Sequence, residues 1–204
     1  MSFLSPITLS GQHARLEPLT LDHHDELVAA VRDGELWNLW YTSVPAPDKM
    51  RENIAFRLGW QSRGGMLPFV VRRLGDQRVV GATTYCNVDS DNRRLEIGYT
   101  FYSQSAQRSA INTECKLLLL THAFSTLGCI AVEFRTHFFN QPSRAAIERL
   151  GAKLDGVLRS HLLMRDGSLR DTCVYSILAH EWPTVRSNLQ YKLGRGTFSP
   201  TCPT

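Results

Sequence analysis

Apolar and polar positions change period several times along this chain, and the changes mark its elements. His13 to Leu19 alternates with period two and predicts a first strand. Asp22 to Val31 has helical spacing, with Asp22 as an N-cap. Gly34 to Pro47 holds Trp37, Trp40, Tyr41, Pro45 and Pro47, which predicts a packed aromatic loop broken by prolines. Asp48 to Gly64 reads as a second helix, ended by Gly64-Gly65. Three strands follow: Pro68 to Leu74, Arg78 to Val88 and Arg94 to Tyr102. The turn segments between them are short, so they predict an antiparallel meander.

Ile111 to Leu127 carries the strongest helical pattern, with apolar residues at 111, 115, 118, 119, 123, 124 and 127 and Gly128 as its stop. A strand over Ile130 to Thr136 and a helix over Asn140 to Leu150 come next. Leu154 to Met164 and Leu169 to Leu178 flank Asp166-Gly167, a hairpin turn. The order is β-α-α-β-β-β-α-β-α-β-β. A meander followed by a β-α-β unit predicts an α/β (α+β) fold with a mixed, mostly antiparallel sheet of about seven strands flanked by helices.

Composition narrows the class. The chain has 204 residues, 43% hydrophobic and 21% charged, which excludes a mainly disordered or fibrous protein. We expect one domain over 1–193 and a flexible tail over 194–204, rich in Gly, Pro, Ser and Thr. No apolar run approaches a membrane span, and Met1 to Gly11 lacks the basic and apolar regions of a signal peptide, so a cytoplasmic protein with no membrane partner is expected. The formal net charge is +4, and the arginines are scattered singly or in pairs, which argues against nucleic acid as a partner. Five cysteines, an odd count with no CxxC, predict buried reduced thiols and no metal site.

Three segments could carry chemistry. In the strand over 94–102, alternation puts Leu95, Ile97, Tyr99 and Phe101 on one face and Glu96, Gly98 and Thr100 on the other. Glu96 beside a glycine that leaves open space is either a general base in a partly dry cleft or a structural ion-pair partner. Ser103 to Ala110 is a loop of small residues leading into a helix N-terminus, where free N–H groups and the dipole favour an anion, with Arg108 as an added charge. It is neither a Walker loop nor a GxGxxG turn. Asn140-Gln-Pro-Ser143 opens the next helix; Asn140 is an N-cap, and with Ser143 it could also face a ligand. His23-His24 are adjacent and read as a solvated helix end. His122 reads as packing. Trp37, Trp40 and Tyr41 line a pocket or pack the core. No GxSxG nucleophile elbow occurs.

With these segments in order, the chain resembles the GNAT N-acetyltransferase superfamily, in particular the RimJ/RimL-type branch. The resemblance runs from His13 to Leu193. It is carried by Val80-Gly-Ala-Thr83, Glu96-Ile-Gly-Tyr99, Asn112-Thr-Glu-Cys-Lys116, His122-Ala-Phe124, Asn140 to Ile147, Arg149-Leu-Gly-Ala152, Asp166-Gly167 and Arg170-Asp-Thr172. It implies a V-shaped cleft that holds acetyl-CoA as co-substrate, with Thr100, Phe101 and Tyr102 along the cofactor. The pyrophosphate would sit on Gln107, Arg108, Ser109, Ala110, Ile111 and Asn112, and Asn140 would contact the cofactor. The family loop is [QR]xxGx[GA]; here Ala110 replaces the first glycine and Asn112 the final small residue.

By the same resemblance Glu96 is the catalytic base, often through water, and Ser143 the general acid. The implied reaction is direct transfer of acetyl to a primary amine, a small molecule or a peptide N-terminus, by a homodimer. The alternative is a module of the same fold that binds CoA or a peptide without turnover. The acceptor has no diagnostic pattern.

Overall fold

The computed structural model describes residues 3–164 and 166–194. One sheet of eight strands organises it: β1 (Leu9–Ser10), β2 (Ala14–Pro18), β3 (Leu67–Arg73), β4 (Val79–Asp89), β5 (Arg94–Tyr102), β6 (Ala131–His137), β7 (Lys153–Leu163) and β8 (Leu169–Leu178), in the order β1-β2-β3-β4-β5-β6-β8-β7. Every neighbouring pair is antiparallel except β5 and β6, which are parallel and joined through a helix. The mixed sheet read from the pattern is therefore present, with one more strand than expected, the two-residue β1.

Five helices cover the faces: α1 (His24–Arg32), α2 (Met50–Gln61), α3 (Ala110–Thr121), α4 (Gln141–Leu150) and α5 (Trp182–Lys192). On one side, Ile111, Leu119 and Leu120 of α3, Ile147 and Leu150 of α4 and Val185 and Leu189 of α5 pack with Leu16, Phe69, Leu95, Val132 and Tyr175 of the sheet. On the other side, Leu27, Val31, Met50 and Ile54 of α1 and α2 pack on Val70, Ala82 and Phe101. The sequence pattern stops at Leu178, and α5 goes beyond it. Its buried Trp182, Val185 and Leu189 sit at helical spacing, and Pro183 is tolerated in its first turn.

The long helix expected over 111–127 is regular only to Thr121. A π turn spans His122–Thr126. The Tyr85 hydroxyl donates to the Leu119 carbonyl at 2.6 Å, so a side chain enters the helical ladder where it loosens. Near the start of α3, the fully buried Glu114 carboxylate accepts the amides of Gln12, His13 and Ala14, each at 2.7 Å. This ties the β1–β2 turn to the helix.

No helix among the described residues is long and apolar enough to cross a membrane. Cys86, Cys115, Cys129 and Cys173 are free and buried, while Cys202 and the tail expected after residue 194 lie outside the described residues.

Candidate active site

A cleft of about 710 Å³ opens where β5 and β6 part. Their pairing runs only from Arg94↔Ala131 to Glu96↔Glu133. Beyond Glu96, the main-chain groups of β5 that face β6 have no strand partner.

A bulge re-aims β5 at the same place. Ala82 opposes Phe101 and Thr84 opposes Gly98, so β5 carries one extra residue, and Tyr99 takes φ +50°. The expected single face of Leu95, Ile97, Tyr99 and Phe101 is therefore corrected. Leu95 and Ile97 point to the α3 core, but Tyr99 turns into the cleft, 39% exposed. Phe101 packs on the α1–α2 side, and Tyr102 returns to the α3 side. The crossing is tight: a Cβ on Gly81 would lie 2.1 Å from the Phe101 carbonyl oxygen.

Glu96 is buried, and the space beside Gly98 is not open. A Cβ on Gly98 would meet Glu96 Oε1 at 2.7 Å, so the glycine makes room for the carboxylate. Glu96 accepts from Asn87 Nδ2 at 2.7 Å and lies 3.6 Å from Arg135 Nε. Burial raises its carboxyl above the usual range, against the pull of Asn87 and Arg135. Glu96 is thus an ion-pair partner of Arg135 whose carboxyl is nevertheless raised by burial. Gly98, Tyr99, Arg135 and Arg170 line the cleft around it, whereas Glu96 itself does not.

On the α3 wall, Thr100, Phe101, Tyr102, Gln107, Arg108, Ser109, Asn112, Asn140 and Ser143 all line the cleft. The first-turn amides of α3 have no intrahelical acceptor. Ser109 Oγ accepts that of Ile111 at 3.3 Å and donates to the Ala106 carbonyl at 2.6 Å. Arg108 is held at φ +56°. Gln107 Nε2 donates to the Tyr102 carbonyl at 3.2 Å. Two expected loop residues stand apart: Ile111 is buried in the core beneath α3, and Ala110, half-buried, is outside the lining. Asn140 caps α4 by accepting the Ser143 amide at 3.1 Å, and Ser143 Oγ has no hydrogen-bond partner among the described residues. A helix N-terminus with exposed amides and an adjacent cation is a donor set that suits a pyrophosphate.

Four residues have no site role in the sequence reading, although Lys116 and Arg170 lie in segments that carry the resemblance. Lys116 is 6% exposed; Nζ donates to Thr100 Oγ1 at 3.2 Å and lies 5.9 Å from the Phe134 ring centre. Burial pulls its ammonium down to about 8. The one clue was a lysine inside the run Cys115 to Leu120.

Arg57 on α2 is 2% exposed. Its Nε donates to Asn53 Oδ1 at 2.9 Å and its Nη1 to Thr84 Oγ1 at 3.1 Å, with the guanidinium 5.5 Å from the Tyr99 ring centre. Burial lowers it to about 10. Arg170 Nε donates to Thr172 Oγ1 at 3.0 Å. His137 is buried, and its Nδ1 accepts the Phe139 amide at 3.1 Å, which assigns the proton to Nε2. The Trp40 ring stands edge-on to His137 at 5.0 Å, and Tyr41 lines the cleft, while Trp37 packs against the α1–α2 core. A second cavity, about 430 Å³ between Leu4, Pro6, Leu58 and Leu67, has no titratable lining residue.

Residues 13–153 match the acetyltransferase (GNAT) domain family. The chain belongs to this family. "Putative ribosomal N-acetyltransferase YdaF" of Bacillus subtilis (strain 168) is 33% identical over 109 residues, which is 53% of this chain and 58% of that relative. The match thus spans less than two thirds of that curated relative. A GCN5-related N-acetyltransferase from Brucella melitensis superposes with a TM-score of 0.82, at 29% identity, over 97% of this chain and 90% of its own. Mycobacterium smegmatis RimJ, solved with CoA-disulfide, shares the fold at a TM-score of 0.77 and 23% identity, over 93% of this chain and 96% of its own. The splayed β5–β6 pair and the loop before α3 therefore sit in a GNAT acetyltransferase framework.

Proposed function

We propose that this chain is an acetyl-CoA-dependent N-acetyltransferase that moves an acetyl group directly to a primary amine. The observation that carries the reading is one continuous cleft, with an anion-suited helix N-terminus on one wall and a buried, proton-accepting carboxylate behind the other.

Bound acetyl-CoA supplies an activated thioester. Gln107 to Asn112 and the N-terminus of α3 hold its pyrophosphate, and Asn140 and the Thr100 to Tyr102 strand flank its arm. Main-chain N–H groups near Thr100 to Tyr102 that point away from β4 polarise the acyl carbonyl. Glu96 takes the amine proton through water; its raised carboxyl is a better base than an exposed one. The new C–N bond forms as the C–S bond breaks. Ser143 Oγ, without a hydrogen-bond partner among the described residues, gives the leaving sulfur a proton and regains one from solvent. Burial raises the thiols of Cys86, Cys115 and Cys129 and leaves none of them an activated nucleophile, in keeping with direct transfer.

The acceptor class follows the relatives' names. A ribosomal N-acetyltransferase at 33% identity supports a protein or peptide N-terminus ahead of a small amine. A homodimer fits the sheet edge: β7 is an outer strand that exposes Leu154, Leu158 and Leu162. Light scattering that gives a monomer at micromolar concentration would remove the dimer.

The test of function combines a melt with a thiol assay. A ligand at about 100 times its Kd adds about 2.7 kcal/mol. At roughly 2–4 °C per kcal/mol, saturating acetyl-CoA should raise Tm by about 5–11 °C. Thiol release on addition of amine-bearing peptides completes the reading. A shift without release from any amine would leave a CoA-binding module, and no shift at millimolar acetyl-CoA would remove the cofactor site.

A further inference from the structure

The charges at the α2 end of the cleft do not balance. Arg94 Nη2 lies 2.7 Å from Glu133, Arg135 Nη2 lies 2.9 Å from Glu133, and Arg135 Nε lies 3.6 Å from Glu96. Two arginines and two glutamates thus neutralise one another. Arg57 and Arg170 remain, and neither has a carboxylate within ion-pair distance among the described residues.

Arg57 is the more telling of the two. A guanidinium buried to 2% exposure normally lies against a counter-charge. Here its partners are a neutral amide and a hydroxyl, and its Nη2 has no acceptor among the described residues. The Arg57 guanidinium lies 5.5 Å from the Tyr99 ring centre, and Arg57, Tyr99 and Arg170 all line the cleft. His137, which feels the charge of Arg170, adds a buried imidazole Nε2–H without an acceptor. Two guanidiniums without a carboxylate at ion-pair distance therefore line the cleft, and Glu96 acts on one of them, Arg170, from farther away.

We infer that the Arg57–Tyr99–Arg170 end of the cleft is a carboxylate subsite, and that the acceptor is an amine that carries a carboxylate close to its amino group. The inference rests on the acetyltransferase reading and names its substrate class. A plain ammonium entering this end meets two unpaired guanidiniums and is repelled. An acceptor with a carboxylate neutralises one of them through Arg hydrogen bonds. The remaining positive field favours the neutral amine, the form that attacks. Arg57 offers a single free terminal nitrogen, which suits a carboxylate oxygen better than a phosphate that needs several donors. The carboxylate has two sources, the α-carboxylate of a free amino acid or an acidic side chain next to a peptide N-terminus.

Calorimetry on the full chain with CoA present tests this with matched pairs. Serine is compared with serinamide, and the amidated tetrapeptide Ser-Glu-Ala-Ala with Ser-Gln-Ala-Ala. At least one acid member should bind tenfold tighter than its amide, and the pair with the larger ratio identifies the source. Arg170→Gln, and separately Arg57→Gln, should cut that ratio to within threefold, while the acetyl-CoA melting shift verifies that each variant is folded. Equal or tighter binding of the amides in both pairs overturns the subsite, as does a ratio that survives both substitutions. Acid-selective binding without thiol release in the presence of acetyl-CoA supports the subsite and counts against the transferase reading alone.

Discussion

The two walls of the cleft bury positive charge in different ways. On the α3 wall, Lys116 is 6% exposed and bonded to one hydroxyl, Thr100 Oγ1. On the α2 wall, Arg57 is 2% exposed and bonded to another, Thr84 Oγ1. Burial penalises both ions, yet it brings Lys116 to about 8 and Arg57 only to about 10. The delocalised guanidinium keeps its proton at any working pH, whereas the ammonium sheds its own just above neutrality. The α2 wall thus holds a permanent charge and the α3 wall a conditional one.

The largest expected effect lies at the buried carboxylate. Glu96→Gln should cut turnover by about 10²–10⁴-fold, the usual cost of a lost general base, and keep the acetyl-CoA melting shift. Because the Glu96 carboxyl is raised, wild-type kcat should climb with pH through a value above the ordinary 4.5. Near-wild-type rates for the glutamine variant across pH would make Glu96 structural.

Lys116→Met sharpens the contrast through stability. The folded state lowers the lysine's affinity for its proton, so the cost of burying the charge is fully present below about pH 8. It fades as pH rises toward the ordinary 10.5, where the unfolded chain also loses the proton. That span corresponds to on the order of 3 kcal/mol at most. The methionine variant should therefore melt higher than wild type at pH 7, and the gap should close by pH 10.5. Parallel melting curves across that window would show that Lys116 is not the conditional charge.

Ser143→Ala should lower the rate by about 10²-fold, the weak end of acid catalysis, and less for acyl donors with a better thiol leaving group. Equal losses for all donors would assign the serine to positioning. Ala110→Gly should have the smallest effect, an unchanged or slightly tighter acetyl-CoA Kd, since it restores the permissive residue of the family loop at the first position of α3. A Kd weakened by tenfold or more would mean that helix propensity at 110 outweighs backbone access.

Much of the frame was legible because its period is clean. The bounds of β5 and β8 and the capping role of Asn140 follow from alternation and from an Asn three residues before the amide it accepts. What period cannot show is a change of period. The bulge at Tyr99 adds one residue against β4 and moves every later side chain of β5 to the other face, with no local marker except Gly98. Glu96 was found as a residue, but its partners were not, since Asn87 and Arg135 reach it from β4 and β6. Arg57 and Lys116 look in sequence like ordinary polar positions of helices. Only the tertiary arrangement removes water from them. Trp182, Val185 and Leu189 offered a helical signal, weakened by Pro183 and by polar residues all round.

The link between Glu114 and the amides of residues 12 to 14 spans 100 positions of chain at Ala14. A chain that grows from the ribosome at about 5–20 residues per second carries those amides for roughly 5–20 s before their carboxylate partner exists. Through that interval β2 can pair with β3, but the segment before it lacks its closure. The α3 helix, which forms one wall of the cleft, thus also marks the moment when the beginning of the chain becomes part of the fold.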